Sequence, residues 1–318
     1  MKYWIITAIV LTVVGGALFL FSFGAVDFDF SVLNEESLDM KLYRVEEPFH
    51  SISLEDDIAD VTFVAATESK VEYTESDGIT YSVSVSDGVL RIRANDRRKW
   101  YHYLTGFPTS RRSVTVYLSE TEYLRLKAET DTGNLTVSGG ITFQSAELST
   151  DTGTLSFSSS VTESLKLETD TGDILLQSAT LGNLKMETDT GDTVLKDLAV
   201  KGGLSIETDT GNLSLSDVTC GTLSCEGETS DVTLTDVVAS VRMTLKLTTG
   251  DLFFTSCDAP DTEISTSTGD VTGSFRGDRI YTVTSKSGSV SHPESAGSNR
   301  CKVTTRSGDV VLTELKGN

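Results

Sequence analysis

From about residue 120 to the end of the chain, apolar side chains fall at every second position in short runs, and a turn signal interrupts the runs at a nearly constant interval. Leu165-x-Leu167 precedes Gly172 and Ile174-x-Leu176 follows it. The same four slots hold Leu184, Met186, Thr193 and Leu195 around Gly191, and Leu204, Ile206, Leu213 and Leu215 around Gly211. A period of two predicts strands with one side turned inward, so each copy reads as two short strands joined at a Thr-Gly corner. Corner glycines recur at Gly133, Gly153, Gly172, Gly191, Gly211, Gly250, Gly269, Gly288 and Gly308, with Ser230 in the remaining slot; the spacing is always 19 or 20 residues. These are ten copies of one unit.

Two short strands cannot bury an apolar face alone. The copies must therefore stack, each against its neighbours at about 4.8 Å, which gives a rod on the order of 50 Å long. A fixed period predicts an all-β parallel solenoid; an antiparallel sandwich predicts loops of varied length. Ile52-x-Leu54 and Val61-x-Phe63 fit the same template with Ala59 at the corner, which raises the expected count to ten or eleven coils. Between that coil and Gly133, residues 71–74, 81–85, 89–93 and 113–118 read as strands, and Asp87-Gly88 is a two-residue hairpin signal. A hairpin sheet covering the N-terminal end of the rod is expected, because solenoid ends expose strand edges.

The first part of the chain differs. Residues 3–26 carry no charge, longer than the roughly 20 residues that cross a bilayer. The run is too long for a signal-peptide core and lacks an A-x-A-like cleavage site, so an uncleaved transmembrane anchor is expected. Lys2 lies before it, and Asp27, Asp29, Glu35, Glu36 and Asp39 follow, which predicts a cytoplasmic N-terminus and an extracytoplasmic body. The expected organisation is an anchor over 1–26, a juxtamembrane linker over 27–48, a first coil with inserted strands over 49–120, and solenoid repeats over 121–318.

The 318 residues carry a formal net charge of -21, which repels phosphate backbones and argues against nucleic acid as a partner. Cys220, Cys225, Cys257 and Cys301 have no CxxC spacing, and His50, His102 and His292 show no metal-ligand spacing with them. The cysteines read as packed free thiols rather than disulfides.

Folding accounts for most of the repeat's polar residues. A corner needs a residue that accepts φ > 0, and the threonine three positions before the glycine shares the buried parity, where its hydroxyl can bond corner backbone groups. Two carboxylate columns remain. Asp131, Asp151, Asp170, Asp189 and Asp209 stand two residues before the corner, followed by Glu228, Thr248, Ser267, Lys286 and Arg306, so that column changes sign. A second column one residue after the corner includes Asp173 and Asp192. Stacked like charges call for screening or a bridging cation, and Asp170, Asp173, Asp189 and Asp192 are the candidate calcium ligands. The segment from Arg97, Arg98, Lys99, Trp100, Tyr101 and Tyr103 to Arg111 and Arg112 is the one cationic, aromatic-rich stretch, suited to lipid headgroups or an anionic wall polymer. Stacking of its arginines on its own aromatics, or pairing with the acidic body, is the alternative use.

With the anchor, the preceding strands and the T-D-T-G-[DN]-[IL] coils, the chain from about residue 52 to 312 resembles the bacterial β-strand-repeat putative-adhesin family, a domain of unknown function. The resemblance implies a membrane-tethered, surface-displayed solenoid, and it carries over no catalytic residues. The expected function is a non-catalytic adhesin or envelope-binding module whose partner is a cell-wall polymer, glycan or envelope protein. An accessory protein of an envelope-stress system is the alternative. A polysaccharide-active β-helix enzyme is a minor one, since it needs two converging carboxyl groups in a cleft, and no G-x-S-x-G motif is present.

Overall fold

Apolar residues at every second position of each repeat turn inward, and the stacked copies form a rod whose axis runs along the strand-to-strand hydrogen bonds. The computed structural model describes residues 12, 14–16, 38–76, 78–97 and 112–315. Within them the chain forms a single continuous sheet wound into stacked parallel coils, a β-solenoid, with every inward side chain joining one core. Corresponding residues pair coil to coil without slippage: Leu165 with Leu184, Leu184 with Leu204, and Leu204 with Leu223.

Each coil has more than the two sides that the alternation suggests. After the corner glycine and a short strand the chain bends again at Ser178, Asp197, Asp217, Asp236 or Ser256, all at φ between 54° and 57°. Aspartate and serine accept this left-handed geometry better than bulky residues do, which places them here. A short third side follows, with Ala179, Leu198, Val218 and Val237 stacked in register.

The corner glycines answer to a second demand besides φ. A Cβ on Gly172 would lie 2.0 Å from the carbonyl oxygen of Gly153, and one on Gly191 would lie 2.0 Å from that of Gly172. The coils pass so closely at this column that only a bare Cα fits. Ser230 is the exception among the ten copies from Gly133 to Gly308, and its copy is altered to match. Where the other early copies have threonine three residues earlier, this one has Gly227, whose absent side chain leaves room for the Ser230 hydroxymethyl group, with Cβ and Oγ 3.2 and 3.3 Å from where a Gly227 Cβ would be.

The expected early coil and inserted strands are present as Ser51–Asp56, Ala59–Ala65, Lys70–Glu75, Ile79–Ser86, Val89–Asp96 and Arg112–Leu118. Asp87 and Gly88 both have positive φ, as a type I′ hairpin requires. The inserted strands are not all hairpin strands, however. Val89–Asp96 and Arg112–Leu118 lie parallel to Ser51–Asp56 and Ala59–Ala65 and complete a further coil outside the Ala59 coil. Antiparallel strands then cover it: Ile79–Ser86 on one side, and Lys70–Glu75 followed by Asp39–Arg44 on the other.

Copies do not stack wholly in chain order. At the C-terminal end, Asp261–Thr268 of the Gly269 coil pairs with Asn299–Ser307 of the Gly308 coil, which pairs in turn with Arg279–Ser287 of the Gly288 coil. The last repeat is thus slotted between its two predecessors. The N-terminal end does the same, since the chain leaves the Ala59 coil outward and returns to lay Glu122–Thr132 on that coil's inner side. Spacing along a sequence carries no record of this exchange. It corrects the expectation of simple sequential stacking.

Candidate functional site

Stacked coils present their chemistry as columns, and each column can be followed coil by coil. The column one residue after the corner is a structural ladder. Asn134 Oδ1 accepts the backbone N–H of Thr154 at 2.9 Å, Asp173 that of Asp192 at 2.9 Å, and Asp192 that of Asn212 at 2.8 Å. Further along, Asp231 accepts from Asp251, Asp251 from Asp270, Asp270 from Asp309, and Asp309 from Ser289, at 2.6 to 2.8 Å. Each carboxylate clips the next coil's corner, and the run from Asp270 to Asp309 to Ser289 traces the exchanged order of the last coils. The bond from Ser289 holds the Asp309 carboxyl below the usual carboxylate range.

The column two residues before the corner behaves oppositely. Asp131, Asp151, Asp170, Asp189 and Asp209 are exposed. Burial against the strand and the neighbouring carboxylates raise Asp131 and Asp170 above the usual range; the neighbours of Asp170 are Asp151, Asp189 and Glu168. Outward glutamates of the same strands are neutralised by lysines two residues earlier, as in Lys127 with Glu129 at 3.2 Å and Lys166 with Glu168 at 2.5 Å. In spatial order the aspartate column passes through Glu228, Thr248 and Ser267 to Arg306 and then Lys286 at the tip, a gradient from acidic to basic along one edge.

Of the four candidate calcium ligands, Asp173 and Asp192 each have Oδ1 engaged by a backbone N–H, while Asp170 and Asp189 belong to the exposed column. Among the described residues no three His, Cys, Asp or Glu side chains are placed to hold a metal ion. Buried threonines meet their expected role in part. Thr150 and Thr169 donate to the carbonyls of Gly133 and Gly153 at 3.1 and 3.3 Å. Thr130, Thr188 and Thr208 have no such partner among the described residues.

The basic, aromatic segment lies largely outside the described residues, and Arg98, Lys99, Trp100, Tyr101, Tyr103 and Arg111 are among those not described. Its two flanks are described. Arg97 is exposed, and its N–H donates to Gly78 at 2.7 Å. Arg112 is 2% exposed and reaches Ser76 Oγ at 3.3 Å, so its side chain belongs to the core of the outermost coil and is not a surface contact. Arginine at the end of a basic run gives no sequence signal of burial; its inward parity with Val114 and Val116 does. Beside it Tyr81 donates to Asp56 at 2.5 Å, and burial near that carboxylate pushes the phenol pKa up. All four cysteines are free and buried, and burial raises Cys220 and Cys257 to about 11 and Cys225 and Cys301 to about 12. They are inert packing residues.

Sequence reasoning missed a further column. Outward residues three positions after the corner pair continuously along the rod: Thr115, Thr62, Thr136 and Ser156 lead to Leu175 and Val194. Ser214, Thr233, Phe253, Thr272, Val311 and Ser291 continue it. Not one is charged. The same alternation that marked the core would have shown this, had the outward slots been tabulated on both sides of the glycine.

Stacked parallel coils with exchanged end layers and an antiparallel cover define a repeat β-solenoid. Residues 49–204 and 202–317 match the model of the Toastrack DUF4097 family, and the chain belongs to that family. Among curated proteins none matches. Similar solved structures include a putative adhesin from Bacteroides fragilis, 12% identical over 87% of this chain and 97% of its own, with a TM-score of 0.39. A putative adhesin from Parabacteroides distasonis is 13% identical over 89% and 98%, with a TM-score of 0.48. A putative lipid binding protein from the same organism is 13% identical over 76% and 95%, with a TM-score of 0.48. Among the described residues no helix is long and apolar enough to cross a membrane, and the anchor expected over 1–26 lies almost wholly outside them.

Proposed function

We propose that this chain is a non-catalytic, membrane-tethered rod displayed outside the cytoplasm, which binds a cell-surface or envelope ligand in the manner of an adhesin. The observation that carries the reading is how its reactive groups are used. Thiols are buried and protonated, corner carboxylates are tied to backbone N–H groups, and the exposed aspartates form a column along one edge. Hydrolysis of a polysaccharide needs two carboxyl groups on opposite sides of a substrate, whereas Glu168 and Asp170, Glu187 and Asp189, and Glu207 and Asp209 line one open, shallow surface side by side.

One feature favours a contact close to the membrane and so keeps the accessory reading in view. Chain from the apolar N-terminal segment enters the rod through Asp39–Arg44, at the end whose outermost coil carries Arg97 and Arg112. A cationic stretch joined to that end of the rod is of the kind that anionic headgroups attract.

The test is full-length chain expressed in a bacterial host. External protease and impermeant amine labelling should reach the lysines of the rod in intact cells. Purified in detergent, the chain should be captured by isolated envelopes, and replacing residues 98–111 by a Gly-Ser linker should lower capture by membranes. Lysines shielded in intact cells, or release of reducing ends from wall polysaccharide, would overturn the reading.

A further inference from the structure

We propose that the uncharged outward ladder is the ligand-binding face of the rod and that its ligand is a linear, uncharged polysaccharide laid along the stack. The inference rests on the adhesin-like reading above and names its ligand class. In a chain of net charge -21 twelve consecutive outward positions are free of charge, and unlike the exposed Thr/Ser ladder from Thr132 to Ser307 this strip carries apolar and aromatic side chains. Val194, Thr233, Phe253, Thr272 and Val311 on it are exposed, and Phe253 is 50% exposed, an aromatic surface for a sugar ring.

The flanks decide which polymer fits. Along one side run the corner carboxylates, each with one oxygen given to the backbone and the other left to accept a hydroxyl. Along the other stand the exposed Asp197 and Asp217, with the exposed Lys196 beside Asp197 and Asp236 paired to Arg276 at 2.6 Å. The carboxylates offer acceptors to sugar hydroxyls, and the acidic corner side repels an anionic polymer; a cationic partner is drawn instead to the exposed aspartate column on the other side of the corner. Strand addition by a peptide is closed here, because both backbone edges of each inner coil are already paired. A flat strip repeating at the coil spacing suits a ligand that also repeats, since weak contacts sum along it.

Full-length chain in detergent is run through native gels carrying hydroxyethyl cellulose, a soluble β-glucan, or dextran sulfate. Retardation is expected with at least one of the neutral polymers and not with dextran sulfate. Phe253→Ala should weaken it about 3- to 10-fold, and the pair Ser214→Lys with Thr272→Lys should weaken it about tenfold or more. Both variants change outward side chains only, and unchanged melting curves verify the rod. No retardation by either neutral polymer, or retardation equal in wild type and the lysine pair, would overturn the proposal. Envelope capture that survives the lysine pair but is lost on replacing 98–111 overturns the face while leaving the adhesin-like reading standing. Absence of envelope capture by any form overturns that reading itself.

Discussion

The two ends of the rod solve the same problem with unequal thoroughness. Each buries one arginine as the first residue of a strand in its outermost coil, near a tyrosine bonded to a carboxylate: Arg112 with Tyr81 and Asp56, and Arg279 with Tyr281 and Glu314. Each also exchanges its last two layers. At the N-terminal end antiparallel strands then cover both sides of the outer coil. At the C-terminal end, cover stops at a loop that bonds Arg279 and Tyr281 through Ala296 and Ser295, and the rest of Arg279–Ser287 has no further strand beside it. Anchoring the outer layer and hiding its edge are thus separate tasks, and this chain completes both at one end only.

The largest test removes residues 299–318. Because the Gly308 coil lies inside the Gly288 coil, its loss should abolish hydrogen-exchange protection across Arg279–Ser291 although that stretch is intact. Retained protection there would mean that coils stack in chain order and that the ends are unlike. Next comes the buried arginine. Arg279 bonds Asp258 at 2.8 Å and lies 3.7 Å from the Phe275 ring centre, so Arg279→Ala should cost about 2–3 kcal/mol in urea unfolding, reduced from a fully buried pair because Asp258 is partly exposed. Arg112→Ala should likewise destabilise the N-terminal end, since its guanidinium is buried and reaches Ser76. A loss at one end only would make the two arginines unlike.

Alkaline pH should also separate them. Each end holds a phenol raised by burial, Tyr81 and Tyr281, and the C-terminal end alone adds a thiol, Cys301, raised to about 12 by burial. Groups whose pKa is raised on folding stabilise fully below their unfolded values, here about 9 and 10, and lose that contribution as pH climbs through the folded values. Exchange measured at rising pH above 9 should show the Arg279–Ser287 and Asn299–Ser307 strands opening before the central coils. Uniform opening would count against a weaker C-terminal end. The smallest effect concerns the edge. Lys286→Val should promote concentration-dependent association measured by light scattering, whereas Thr80→Val on the N-terminal cover should do so less.

How much of this was readable beforehand follows from what a period can encode. Strand positions, the parity of Leu165 and Ile174, the Ala59 coil and the Asp87-Gly88 hairpin all follow from local alternation and turn chemistry. Which coil lies on which does not, because Gly288 and Gly308 present the same motif and either could follow Gly269. The burial of Arg112 was encoded in its parity but masked by the charge of its neighbours. The Ser178 to Ser256 bend was missed because serine and aspartate at a solvent-facing position look like ordinary surface. Carboxylates beside the corner were legible as a column, while their bonds to the next coil's N–H groups depend on a stacking distance that no single repeat contains.

The exchanged layers fix where such a rod can change length. A repeat appended at either terminus would have to unthread a layer held on both faces, whereas one duplicated among the central coils meets the same corner above and below. The interlocked ends therefore behave as fixed fittings and the middle as adjustable pipe: the length of the rod can drift over evolutionary time while the hardware at the two ends is left alone.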